Sequence, residues 1–515
     1  MNQPRPGILI PTIAGLAVTG CLGLTPPASA AVPDACATTP SAVDFDGDGY
    51  DDAAVGDPYA TVAGQAGAGA VTVLYGDRYG NIGEGDRQVI TQASFGDTPH
   101  AGDHFGWDVT LAPAHAGSGC SDLVVGSPGA DVRGAANAGT VSVIRNLAPA
   151  EGTPDLDVLT LDQGELGGDV EAGDAFGYAV QVMAAGHGER PRLIVGAPGE
   201  DAGSVVDAGA VNIREVGATN TLVAELRQGR RGPLGAKLLP GTPQTGDRFG
   251  SSLAAGLVDL PETSGADLAG GLAIGAPGDT VSGRTGAGSV TVVSEKFETA
   301  KLLTQSTTEV PGTAETGDHF GSSLALSRHT PTELAWLAVG SPGEDVGRTA
   351  DAGSVTLFLN TAEQFAPGPG LTQATAGVPG VPEPRDHFGE SLAFGFAKTT
   401  LLIGVPSEDV GSVVDAGSVQ PVRVTPARPL TFSASITEDG RGTAASVGTG
   451  HQFGRSLGSL SGRAENIITI ASPYVGRGYV YVLSDAILPD EGGRVPARSW
   501  IASAGADRFG WSITN

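Results

Sequence analysis

Basic residues are scarce in this sequence: 29 Lys and Arg stand against 57 Asp and Glu, leaving a formal charge of -28. A chain so acidic repels phosphate backbones and anionic lipid surfaces and attracts cations or basic partners, so no nucleic-acid partner is expected. Aromatics are sparse as well, at 5% of residues, and beyond about Leu24 no apolar run is long enough to cross a membrane as a helix. The sequence also has no His-Glu-x-x-His, no Cys-x-x-Cys, no phosphate-cradling glycine loop ending in Lys-Ser/Thr and no Arg-Gly-Asp. Without these signatures the case for an enzyme is thin.

What the chain has in abundance is glycine, 80 residues, together with 35 prolines, a mixture suited to many short strands joined by tight turns. Disorder is disfavoured because 40% of the residues are hydrophobic and cluster in β-branched runs such as Leu123-Val124-Val125 and Leu193-Ile194-Val195. The first thirty residues read as an export signal: Arg5, an apolar stretch from Gly7 to about Leu24, then the small-residue cleavage pattern Ala28-Ser29-Ala30 before Ala31. A competing parse takes Val18-Thr19-Gly20-Cys21 as a lipobox, which would leave the chain lipid-anchored through Cys21. Cleavage after Ala30 leaves Cys36 and Cys120 in a compartment where disulfides persist, and a Cys36–Cys120 bridge is expected. It would close a long loop worth about 4 kcal/mol by chain entropy.

Self-comparison shows a repeat of about seventy residues. Phe-Gly recurs at Phe105-Gly106, Phe176-Gly177, Phe249-Gly250, Phe320-Gly321, Phe388-Gly389, Phe453-Gly454 and Phe509-Gly510. About twenty residues after each of the first six, an apolar strand ends in Gly-x-Pro or a variant: Gly126-Ser127-Pro128, Gly196-Ala197-Pro198, Gly275-Ala276-Pro277, Gly340-Ser341-Pro342, Gly404-Val405-Pro406 and Ala471-Ser472-Pro473. Gly56-Asp57-Pro58 precedes them all. Strands of the type Ala-Gly-x-Val follow each proline, as at Ala138-Gly139-Thr140-Val141, and a further strand runs towards Gln92, Gln163, Gln228, Gln305 or Gln373. Four short strands per repeat, with Phe between neighbouring sheets and Gly permitting close backbone approach, predict propeller blades.

These alternating signatures resemble the FG-GAP repeats of the integrin α-subunit head, and the resemblance covers roughly Asp44 to Asn515. It implies an all-β, seven-bladed β-propeller over residues 44–515; the N-terminal reading sets a signal peptide (1–30) and a linker (31–43) before it. The first repeat has Gly56 but no preceding Phe-Gly, and the last Phe-Gly at Phe509 has no Gly-x-Pro after it. Pairing of the N- and C-terminal segments within one blade is therefore expected to close the ring.

One motif carries definite chemistry. Asp44-Phe45-Asp46-Gly47-Asp48-Gly49-Tyr50-Asp51-Asp52 places carboxylates at loop positions one, three, five and nine, the spacing a calcium ion needs. Asp44, Asp46, Asp48, Asp52 and the Tyr50 carbonyl are the expected Ca2+ ligands. The loop lacks the glutamate at position twelve of an EF-hand, and only the first blade has a complete copy, whereas integrin α-subunits carry several.

Weaker signals have structural explanations. Glu200-Asp201 with Asp207, Glu344-Asp345 with Asp351 and Glu408-Asp409 with Asp415 could form weak cation sites but read first as turn chemistry. His104, His319 and His387 share one repeat phase on different blades and cannot share a metal. Gly454-Arg455-Ser456-Leu457-Gly458 fits a nucleophile elbow, yet Ser252, Ser323, Ser391 and Ser512 occupy the same phase, so Ser456 reads as a repeat residue. The expected function is an extracellular, monomeric binding or adhesion scaffold for a protein or glycan. The alternatives are a secreted esterase- or phospholipase-like hydrolase and a structural envelope lipoprotein.

Overall fold

The computed structural model describes residues 44–514 apart from short stretches, chiefly 78–81, 113–119, 148–155, 184–190, 216–221, 232–238, 259–268, 328–334, 396–399, 425–429, 440–445, 461–466, 485–496 and 503–507. The expected signal peptide, the linker, Cys21 and Cys36 lie outside the described residues. Within them the chain forms seven four-stranded antiparallel sheets, the blades of a β-propeller.

Blade two is representative: Val109–Ala112, Asp122–Ser127, Thr140–Arg145 and Asp157–Leu161 pair in sequence order. Blades three to seven repeat this order. Blade one draws Ala53–Asp57, Ala70–Gly76 and Ile82–Ile90 from the N-terminal side and takes its innermost strand, Ser512–Ile513, from the C-terminus. Gly510 N–H and Trp511 N–H both donate to Gly56 O at 3.1 Å, and Thr514 N–H donates to Ala54 O at 3.0 Å.

No single core exists; seven apolar layers lie between successive blades, including one between blades seven and one that gathers Ile467, Val480, Phe509, Val55 and Leu74. All seven Phe-Gly phenylalanines are at most 1% exposed and sit in these layers. The second strand of every blade stops one residue before its proline, as at Ser127, Ser341 and Ser472. This is where a residue without an N–H can no longer serve the ladder.

The two glycine signatures meet across each joint. A Cβ on Gly126 would lie 2.0 Å from Gly177 O of the next blade, and the same position in blades three to six meets the carbonyl of Gly250, Gly321, Gly389 or Gly454 at 2.1 to 2.3 Å. The bond Phe176 N–H to Ala138 O (2.9 Å) crosses the same joint and recurs at Phe249, Phe320, Phe388 and Phe453. The serines sharing Ser456's phase have a structural task here: Ser252, Ser323, Ser391 and Ser512 donate to the next blade's Phe-Gly carbonyl at 2.5 to 2.9 Å.

Candidate functional site

The acidic loop opens blade one. Gly47 and Gly49 take φ of 81° and 87°, a left-handed backbone that folds the loop back on itself. Asp44 Oδ1 accepts from Gly47 N–H at 2.5 Å and its Oδ2 from Gly49 N–H at 2.8 Å. Asp46 accepts from Asp48 N–H, and Asp48 from Tyr50 N–H. One oxygen each from Asp44, Asp46 and Asp48 lies within 4.8 Å of the other two. Ligands on opposite sides of a cation bound at about 2.3 to 2.6 Å are about 4.6 to 5.2 Å apart, so the three oxygens fit a hard cation.

Asp52 is placed differently. It is fully buried, and its two oxygens accept from Phe45 N–H (2.7 Å) and Gly76 N–H (2.8 Å), bracing the loop from behind. Burial and the neighbouring carboxylates push Asp46 up to about 6 and Asp52 up to about 8, against the hydrogen bonds they accept. Ser121 N–H, next to Cys120, donates to Asp44 O at 2.9 Å, so the loop is tied to blade two.

The repeated acids after the Gly-x-Pro turns work as structure. Gln163 donates to Glu200 at 2.7 Å, and Gln305 and Gln373 donate to Glu344 and Glu408, each pair joining one blade to the next. Asp201, Asp345 and Asp409 accept the backbone N–H of Asp207, Asp351 and Asp415, which close their turns with φ of about 50°. The histidines lie on separate blades, with His104 and His319 each bonded to a proline carbonyl of the preceding blade at 3.1 Å.

A second cluster, missed in the sequence, occupies the position just after Phe-Gly at the start of each innermost strand. It reads Trp107, Tyr178, Ser251, Ser322, Glu390, Arg455 and Trp511 around the mouth of the ring. Glu390 is ion-paired to Arg455, whose guanidinium lies 5.2 Å over the Trp511 ring. Trp511 is 5.2 Å from Trp107, and Trp107 is 5.3 Å from Tyr178, completing a run across five consecutive blades. Tyr59, after the first Gly-x-Pro, packs on Trp511 at 5.2 Å and His104 at 5.1 Å. Arg508 sits 4.3 Å from the Tyr59 ring and 4.8 Å from that of Tyr474. Beyond Tyr178 a recess lined by Asp207, Arg248 and Ser251 extends the mouth. The signal available in the sequence was the shared phase after Phe-Gly, but the residues there differ from blade to blade.

Among solved structures the chain is similar to the periplasmic gluconolactonase PpgL of Pseudomonas aeruginosa, with a TM-score of 0.43 and 13% identity over 89% of this chain and 98% of that one. It is also similar to a complex of KlAtg21 with the coiled coil of AgAtg16, with a TM-score of 0.42 and 11% identity over 84% and 96%. No curated protein matches the sequence. The FG-GAP repeat family matches residues 37–74. The chain thus carries an FG-GAP repeat at its first blade, within a seven-bladed β-propeller around which the Phe-Gly and Gly-x-Pro signatures interlock, an arrangement consistent with an FG-GAP propeller.

Proposed function

We propose that the chain is a secreted, calcium-supported binding and adhesion scaffold that engages a protein or glycan partner at the mouth of its ring. The observation that carries this reading is the run Glu390, Arg455, Trp511, Trp107 and Tyr178, in which five successive blades offer half-buried side chains of four different types at one equivalent position. The packing residues of the fold recur from blade to blade, whereas residues that recognise a partner must differ. Aromatic and arginine side chains are the types that carry most binding energy at interfaces.

Calcium would be held by Asp44, Asp46 and Asp48, with the Tyr50 carbonyl completing the set and Asp52 fixing the loop from behind. Bound there, it would relieve most of the mutual repulsion of three carboxylates and stabilise the folded ring. Export would follow from Ala28-Ser29-Ala30. The test is surface binding of the full mature chain to panels of glycans and extracellular proteins, with calcium and with chelator, alongside a Trp511→Ala variant. A ligand lost in the variant supports the scaffold; no binding in either condition, or binding indifferent to Trp511, overturns it. Mass spectrometry of the mature N-terminus decides between Ala31 and an acylated Cys21.

A further inference from the structure

We infer that the mouth takes an acidic saccharide, a glycan bearing uronic acid residues, an inference that rests on the binding-scaffold reading and gives its ligand a chemical class. Two of the four tryptophans and three of the eight tyrosines of an aromatic-poor chain gather there: Trp107, Trp511, Tyr59, Tyr178 and Tyr474. None is sealed in the inter-blade layers; Tyr474 is 36% exposed and the other four are half-buried. Flat, partly wetted rings of this kind offer stacking area for the C–H face of a pyranose, with polar edges for its hydroxyls.

Charge selects among saccharides. The protein carries -28 overall, yet Arg248, Arg455 and Arg508 converge on this one opening. Arg508 makes no ion pair among the described residues and lies between the Tyr59 and Tyr474 rings, its backbone N–H donating to Asp57. Among the described residues Arg455 is ion-paired only to Glu390, which His387 also faces, and burial together with the neighbouring Arg508 disfavours its cation, a penalty that a bound anion removes. A planar guanidinium braced by aromatic faces matches a carboxylate through paired N–H donors. One guanidinium without an ion pair among the described residues and one half-compensated guanidinium suit the single charge of a uronate better than a cluster of sulfates. Across the ring, blades four and five offer Ser251, whose hydroxyl donates to Arg248 O and is left to accept, and Ser322, neither adding charge.

The test is isothermal titration of the full mature chain, in calcium, with a galacturonic acid hexamer, the neutral cellohexaose and a sulfated heparin hexamer. The hexauronate is expected to bind, to weaken as salt rises, and to lose about tenfold or more in affinity on Arg508→Gln. Arg508→Lys should recover part of that loss and Trp511→Ala should deepen it. Melting curves of each variant report folding, and the partly exposed Arg508→Gln serves if Trp511→Ala does not fold. No uptake of the hexauronate, equal uptake of cellohexaose, tighter binding of the heparin hexamer, or an unchanged affinity in folded Arg508→Gln overturns the inference. If a neutral glycan or a protein binds and Trp511→Ala abolishes it, the scaffold reading stands while the uronate assignment falls.

Discussion

Replacing Gly126 by alanine would put a methyl carbon 2.0 Å from Gly177 O and 3.1 Å from its carbonyl carbon, both backbone atoms of the next blade. An ordinary C···O approach is about 3.3 Å, so the joint between blades two and three must open by more than an ångström or the strand must buckle. Opening it loosens the seat of Phe176, which is fully buried, and stretches the Phe176 N–H to Ala138 O bond of 2.9 Å. Overpacking contributes about 1 to 3 kcal/mol and a weakened buried hydrogen bond about 1 kcal/mol, giving a loss of about 2 to 4 kcal/mol. Gly134→Ala is the control, since Gly134 has φ of 91° but nothing within 4 Å of an added Cβ. It should lose only the backbone term of about 1 to 2 kcal/mol. Urea unfolding followed by tryptophan fluorescence measures both. The interlocking argument fails if Gly126→Ala is no more destabilised than Gly134→Ala.

Other expectations concern the acids and cysteines. Chelation, or Asp46→Ala with Asp48→Ala, should lower the melting temperature; at calcium a hundredfold above its Kd the lost stabilisation is about 2.7 kcal/mol, and an unchanged melting curve with no heat of calcium binding removes the site. Burial first, then neighbouring carboxylates, push Glu344, Glu408 and Asp386 up to about 7. Their folded pKa values lie above the unfolded ones, so the native chain holds more protons between about pH 4 and 7, and stability should fall as pH rises through that window. Urea midpoints in chelator at pH 5.5 and 7.5 check the sign, and Glu344→Gln should flatten the slope; a midpoint that rises with pH contradicts it. A Cys36–Cys120 bridge is a further expectation, with Cys36 outside the described residues. Non-reducing peptide mapping should recover the linked pair, and two free thiols would refute it.

The repeat, the blade count and the phase of the signature Phe, Gly and Pro residues are legible in the sequence, because a residue that packs at each of seven joints has to recur at each of them. The sequence also located the acidic loop, since carboxylates spaced by two residues around glycines are a local pattern that needs no distant partner. It could not tell that Asp52 turns both oxygens to the backbone while Asp44, Asp46 and Asp48 converge, for Gly76 N–H is 24 residues away. Nor could it tell that Gln163 and Glu200 are one pair, or that the glycine of Gly-x-Pro meets a carbonyl of the following blade, because periodicity gives phase and not neighbour. The mouth was hidden for the opposite reason. A position filled by Trp, Tyr, Ser, Glu and Arg in different blades has no recurring residue to mark it, and it is the folded ring that brings Trp107, Tyr178, Arg455 and Trp511, up to 404 positions apart, into one cluster.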